Sequence, residues 1–156
     1  MSNPNASFTA SSVKLTSLLI DAQEGALQLP DFQRSWVWDE ERIRSLLASV
    51  SRGFPRGAIM TLRTGGNVEF KPRPLEGAPA KVSEEKPDSL LLDGQQRLTS
   101  LYQVLVSKEV VSTLTPRRQR VKRWFYFDID KCLLDEGDRD DAVVILPENR
   151  RVTSDF

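Results

Sequence analysis

Three apolar stripes at helical spacing most constrain what this chain can fold into. Leu15, Leu18, Leu19 and Ala22 form the first, Ile43, Leu46, Leu47 and Val50 the second, and Leu98, Leu101, Tyr102 and Leu105 the third. Each repeats at i, i+3, i+4 and i+7, which sets four side chains on one face of a helix. Such a face must be buried against another element. Between the stripes lie apolar runs too short for helices. Residues 26–29 (ended by Pro30), 58–63, 68–70, 89–92, 124–129 and 142–146 read as strands. Helices and strands mixed in this order predict an α+β fold, a small mixed sheet with packed helices.

Local signals place the boundaries. Ser12 is positioned to cap a helix over 13–24, which Gly25 stops. Asp39 is a second cap, followed by Glu40 and Glu41 where the helix dipole is positive; that helix runs to about Arg52 and Gly53. Residues 64–67 can reverse the chain into a hairpin. Residues 71–88 contain Pro72, Pro74, Pro79 and Pro87 and read as a loop. The third helix is expected to reach about Lys108. Residues 113–123 are polar and basic, and 135–141 form an acidic turn. Residues 1–12 are expected to be a flexible arm, 13–149 the domain, and 150–156 a truncated continuation.

Composition removes several chemistries. The chain has 156 residues, 22 cationic and 22 acidic, and no histidine. A Ser-His-Asp hydrolase, a His-dependent nuclease or a His-ligated zinc site cannot be complete here. Cys132 stands alone, so no internal disulfide can form and a reducing, cytoplasmic setting is expected. No apolar run is long enough to span a bilayer, so no membrane partner is expected. A balanced charge gives no support for tight sequence-independent DNA binding.

The strongest local motif is Asp93-Gly94-Gln95-Gln96-Arg97, between a strand and a helix. The first N–H groups of that helix lack intrahelical partners, and its dipole adds positive charge there. Gly94 permits a tight turn and close approach of a ligand. Gln95 and Gln96 add amide donors, and Arg97 adds a planar fork matched to phosphate oxygens. The motif therefore reads as an anion site, with Asp93 as a Mg²⁺ ligand or water-orienting group. The alternative is local: Asp93 caps the helix and Arg97 pairs with it. No P-loop pattern is present.

Two further clusters stand out. Gln33-Arg34 sits among Phe32, Trp36 and Trp38. This group can bind phosphate and hold a base, or the aromatics can pack under the second helix while Arg34 pairs with Asp31 or Glu41. Arg117, Arg118, Arg120, Lys122 and Arg123 can touch a nucleic-acid backbone, or form a solvated surface.

Taken together, Leu29-Pro30-x-Phe32-Gln33-Arg34-x-Trp36-x-Trp38, Gly53-Phe54-Pro55-x-Gly57 and Asp93-Gly94-Gln95-Gln96-Arg97-Leu98-Thr99-Ser100-Leu101 resemble the N-terminal domain of GmrSD-type restriction endonucleases, over residues 13–146. That family's N-terminal domain is similar to the ParB/sulfiredoxin fold. The resemblance implies a nucleoside-triphosphate-binding and hydrolysing regulatory domain, with Mg²⁺, in a phage-defence system that cuts modified DNA. Gly94, Gln95, Gln96 and Arg97 would line the phosphates, Gln33 and Arg34 would approach from the neighbouring loop, and Asp93 and Arg97 would be catalytic. The implied partners are the nucleotide, DNA through a C-terminal or separate HNH-type nuclease, and a second copy of the chain. The loop carries Gln95 and Gln96 where sulfiredoxins have a cysteine, so sulfinic-acid reduction is excluded. The alternatives are a DNA-backbone-binding module without turnover and an inactive remnant.

Overall fold

The computed structural model describes residues 9–54, 57–66, 70–134 and 137–151. In chain order the helices and strands are α1 (Leu15–Glu24), β1 (Leu27–Pro30), α2 (Glu40–Ser51), β2 (Met60–Arg63), β3 (Pro72–Arg73), β4 (Ser89–Asp93), α3 (Gln95–Leu105), β5 (Val111–Leu114), β6 (Arg120–Phe127), α4 (Ile129–Cys132) and β7 (Val143–Pro147). This is an α+β domain. Its strands form two sheets rather than one: a mixed sheet in the order β2-β4-β1-β3 and an antiparallel sheet in the order β5-β6-β7.

The three apolar stripes supply the core. Leu19 and Ala22 of α1, Ile43, Leu46 and Leu47 of α2, and Leu98, Leu101 and Tyr102 of α3 are buried together with Leu27, Leu29 and Leu91 from the strands. Each fully buried leucine contributes roughly 1.5–3 kcal/mol from water exclusion. Leu105 departs from the expectation and is 49 % exposed. Helix α3 ends there, short of Lys108, with the Val106 N–H bonded to the Tyr102 carbonyl.

The caps explain the ends. Asp39 accepts a hydrogen bond from the Arg42 N–H at 2.9 Å and starts α2 as expected. Helix α1 begins two residues later than expected, at Leu15, with Lys14 in the cap position and no side-chain cap bond. Ser12 lies too far upstream for its hydroxyl to reach the first turn. Gly25, at φ +89°, closes α1.

Strand β1 joins the two halves of the mixed sheet. It runs parallel to β4, with Leu27 opposite Ser89, and antiparallel to β3, where Pro30 faces Pro72. Just beyond the facing prolines the Asp31 N–H donates to the Lys71 carbonyl at 2.9 Å, so the prolines occupy a non-hydrogen-bonded pair, where no N–H donor is needed. Gln28 is fully buried, and its Nε2 donates to the carbonyls of Gly25, Val82 and Glu85. It thereby fixes the 3₁₀ turn Ala80–Glu84. The expected loop over 71–88 thus contains a strand and a helical turn, set by tertiary contacts that proline spacing does not reveal. The second hairpin strand expected at 68–70 falls largely outside the described residues. Instead β2 pairs with β4, antiparallel.

The second sheet begins earlier than expected. Residues 113–123 are not a polar loop, because β5 and most of the cationic run are strand. The inward face carries Val111, Thr113, Phe125, Phe127 and Val143, and the outward face of β6 carries Arg120, Lys122, Trp124 and Tyr126. This alternation is hidden where charges occupy both faces of β6. The sheet is tied to the segment before α2 by the Thr113 hydroxyl, which donates to the Trp38 carbonyl at 2.6 Å, and by a parallel bridge between Asp39 and Leu114.

Because β1 and β4 are parallel, their carboxyl ends, Pro30 and Asp93, emerge at the same edge. Ligand clefts of α/β folds form outside such ends.

Candidate functional site

A cleft of about 490 Å³ opens at that edge. One wall is Phe32, Gln33, Arg34 and Trp38, and the other is residues 92–97. Its size lies within the range of small-molecule sites, about 300–1,000 Å³.

The Asp93 wall follows from backbone geometry. Gly94, at φ +91°, is the N-cap residue of α3. A Cβ added there would lie 3.0 Å from Cγ1 of Ile59 and 3.4 Å from Nη2 of Arg97, so glycine is required for both torsion and space. The first α3 bond runs from the Leu98 N–H to the Gly94 carbonyl at 3.0 Å. The N–H groups of Gln95, Gln96 and Arg97 precede it, at the positive end of the helix. Asp93 does not cap the helix, and its side chain is 72 % exposed. The local pairing is present, with Asp93 Oδ2 3.7 Å from Arg97 Nη2.

The glutamines hold the two walls together. Gln95 Nε2 donates to the Arg34 carbonyl at 2.6 Å. Gln96 donates to the Ser35 carbonyl and accepts from the Val37 N–H at 3.0 Å. Gln33 Nε2 donates to the carbonyls of Leu91 and Leu92, both at 2.8 Å. Their amide nitrogens are thus engaged with backbone, and the start of α3, Arg34 and Arg97 also border the cleft. Arg34 is exposed on the loop wall, and Glu41 pairs with Arg44 instead. Arg97 donates through Nη2 to the Ala58 carbonyl at 2.7 Å.

Other residues that position the site were not singled out from sequence. Arg73 Nη2 donates to the carbonyls of Gln33 and Arg34, and Glu76 accepts from the Trp36 N–H. The Trp36 indole donates to the Ser100 hydroxyl at 2.9 Å. Gly57, at φ +85°, lies against Arg97, where a Cβ would collide with Nη1. Of these, Trp36, Ser100 and Gly57 belong to the sequence motifs, and Arg73 and Glu76 do not. Trp36 and Trp38 are half-buried against the core, whereas Phe32 is exposed and meets Phe70 edge-on at 5.2 Å between centroids.

The cationic run does not form one surface. Arg117 and Arg118 occupy the β5–β6 turn, and Arg120 and Lys122 point outward. Arg123 points inward and pairs with Glu40 of α2 at 2.6 Å. Asp138 caps the 3₁₀ turn Arg139–Ala142, while residues 135 and 136 lie outside the described residues. Among the described residues no group of three acidic or thiol side chains is arranged to hold a metal. Among the described residues Asp93 is the one carboxylate lining the cleft. A single carboxylate suits a Mg²⁺ ion whose remaining ligands are phosphates and water, and not a resident metal. Behind the cleft, burial raises the pKa of Tyr102. Among the described residues no helix is long and apolar enough to cross a membrane.

The fold and site define an α+β domain with a cleft where two parallel strands end beside a glycine-started helix. The family model described as "GmrSD restriction endonuclease, N-terminal domain" matches residues 15–151, and the chain belongs to that family. It is also similar to an uncharacterized protein of Methanocaldococcus jannaschii, 33 % identical over 144 residues. The alignment covers 88 % of this chain and 23 % of the relative, so the chain spans about a quarter of that protein's length. No solved structure matches.

Proposed function

We propose that this domain binds a nucleoside triphosphate in the cleft, hydrolyses it, and thereby controls DNA cleavage by the nuclease of a phage-defence restriction system. The observation that carries this reading is the convergence of Arg34, Arg97 and the α3 N-terminus on one cleft. Phosphate oxygens accept from the N–H groups of residues 95–97, where the helix dipole favours negative charge. Arg97 is already oriented by the Ala58 carbonyl and meets them without reorganisation. Arg34 approaches from the opposite wall as a mobile counter-charge. Asp93 stands in water at the mouth, where it orients the attacking water. Asp93 would also hold a Mg²⁺ ion arriving with the phosphates, which neutralises charge on their oxygens. Family membership supports the link to restriction, and through it to a nuclease and DNA.

Calorimetric titration with MgATP and MgGTP, together with phosphate release, tests the reading. Arg34→Ala leaves the fold intact, since the side chain is exposed, and removes a charged hydrogen bond of about 1.5–3 kcal/mol, which weakens binding roughly 10- to 150-fold. Asp93→Asn retains binding and loses turnover. Unchanged affinity in Arg34→Ala would overturn the assignment.

A further inference from the structure

The outer face of the β5-β6-β7 sheet is unused by the cleft. Along β6 it carries Arg120, Lys122, Trp124 and Tyr126 at every second residue. Side chains on one face of a strand repeat about every 6.8 Å, so this row is about 20 Å long and passes from cationic to aromatic. The register sets Leu146 beside Trp124 and Val144 beside Tyr126. Tyr126 is 41 % exposed.

The cationic end is reinforced from both neighbouring turns. Arg117 and Arg118 lie in the β5–β6 turn, and Arg150 and Arg151 follow β7 at the same end. Glu148 is the acid there, and Lys122 neutralises it at 2.8 Å. Among the described residues no carboxylate lies within ion-pair distance of Arg117, Arg118 or Arg120. In a chain of zero net charge this is a marked local excess. An open groove of about 760 Å³ runs through it, past Ser112, Arg120, Lys122, Pro147 and Asn149.

Two backbone observations point the same way. Arg118 and Arg150 hold φ at +63° and +57°, a left-handed conformation that costs an L-residue energy. At Arg150 it accompanies a guanidinium 4.3 Å from the Trp124 ring centroid, while the indole N–H donates to the Glu148 carbonyl. A guanidinium held over an aromatic ring offers a base a cationic, aromatic platform.

We infer that this sheet face binds an unpaired nucleic-acid strand: phosphates at Arg118 and Arg120, bases on Tyr126 and on the Arg150–Trp124 stack. The site is separate from the cleft and does not depend on nucleotide binding. Cations favour any polyanion, but aromatics continuing the same row favour one with bases exposed.

Fluorescence anisotropy with a labelled 12-nucleotide single-stranded DNA, the same sequence as RNA, and a duplex DNA tests this on the whole chain. Single strands of either sugar bind more tightly than the duplex, and affinity falls with salt. The double substitution Arg118→Ala with Arg120→Ala lowers the log–log salt slope by about 1.4, two contacts at about 0.7 each. Tyr126→Ala weakens single-strand binding by about fivefold or more, and Tyr126→Phe retains it. A duplex bound as tightly as the single strand, a salt slope unmoved by the arginine substitutions, equal loss in Tyr126→Ala and Tyr126→Phe, or no binding at 50 mM salt would each overturn the inference.

Discussion

Replacing Gly57 by alanine adds one methyl group to a backbone at φ +85° and drives it into Nη1 of Arg97. Two costs follow. The left-handed torsion costs an L-residue about 1–2 kcal/mol. The guanidinium must also leave the Ala58 carbonyl, to which it donates at 2.7 Å. A charged hydrogen bond contributes about 1.5–3 kcal/mol, discounted here to about 1–1.5 because water can replace it on a partly open side chain. Arg97 is 24 % exposed. The 3.7 Å pairing with Asp93 adds no more than about 0.5 kcal/mol, since that carboxylate is mostly in water. Gly57→Ala therefore loses about 2–4 kcal/mol, roughly 5–15 °C in Tm for a chain of this size. In an Arg97→Ala background the collision is gone and only the torsional cost of about 1–2 kcal/mol remains. Urea unfolding of the four proteins closes a double-mutant cycle with a coupling of about 1–2 kcal/mol. Equal losses in both backgrounds, within about 0.5 kcal/mol, would refute the claim that Gly57 is glycine on account of Arg97.

Two further outcomes follow from buried polar atoms. Burial raises the Tyr102 phenol above its ordinary pKa of 10.0. Its contribution to stability is complete below pH 10 and is lost as pH rises through the higher folded-state value, because only the unfolded chain ionises freely. Urea midpoints should fall as pH rises above 10.0, and fall less in Tyr102→Phe; parallel profiles would contradict this. The Thr99 hydroxyl is buried with no hydrogen-bond partner among the described residues. An orphan hydroxyl costs about 1–3 kcal/mol, so Thr99→Val should raise stability by about 1 kcal/mol, and a lowered midpoint would count against an unpaired hydroxyl.

The helices were legible because their signals are local. Asp39 sits at its cap, and the stripes Ile43, Leu46, Leu47 and Leu98, Leu101, Tyr102 meet in the core. Strand pairing was less so. Nothing near Ala26 announces that β1 runs beside β4, sixty residues on, and that pairing is what makes the cleft. The site was legible as a set of residues and not as a set of roles. The spacing of Gln33, Gln95 and Gln96 suggested donors for a ligand, whereas their amides meet backbone carbonyls across the cleft. Arg73 and Glu76, in a segment that composition marked as a loop, hold the same cleft wall. Arg123, one of five neighbouring cations, faces inward because β6 is a strand and adjacent side chains part company.

The segment between β1 and α2 is bonded at successive points, to Arg73 of β3, to Gln95, Gln96 and Ser100 on α3, and through Trp38 and Asp39 to β5. Cleft wall and second sheet therefore share one stretch of main chain. A displacement of residues 33–37 large enough to widen the cleft must either break the Thr113–Trp38 bond or drag β5 with it. The segment works as a crank with one arm in each half of the domain. Occupancy of the cleft and strain on the outer sheet draw on the same few hydrogen bonds.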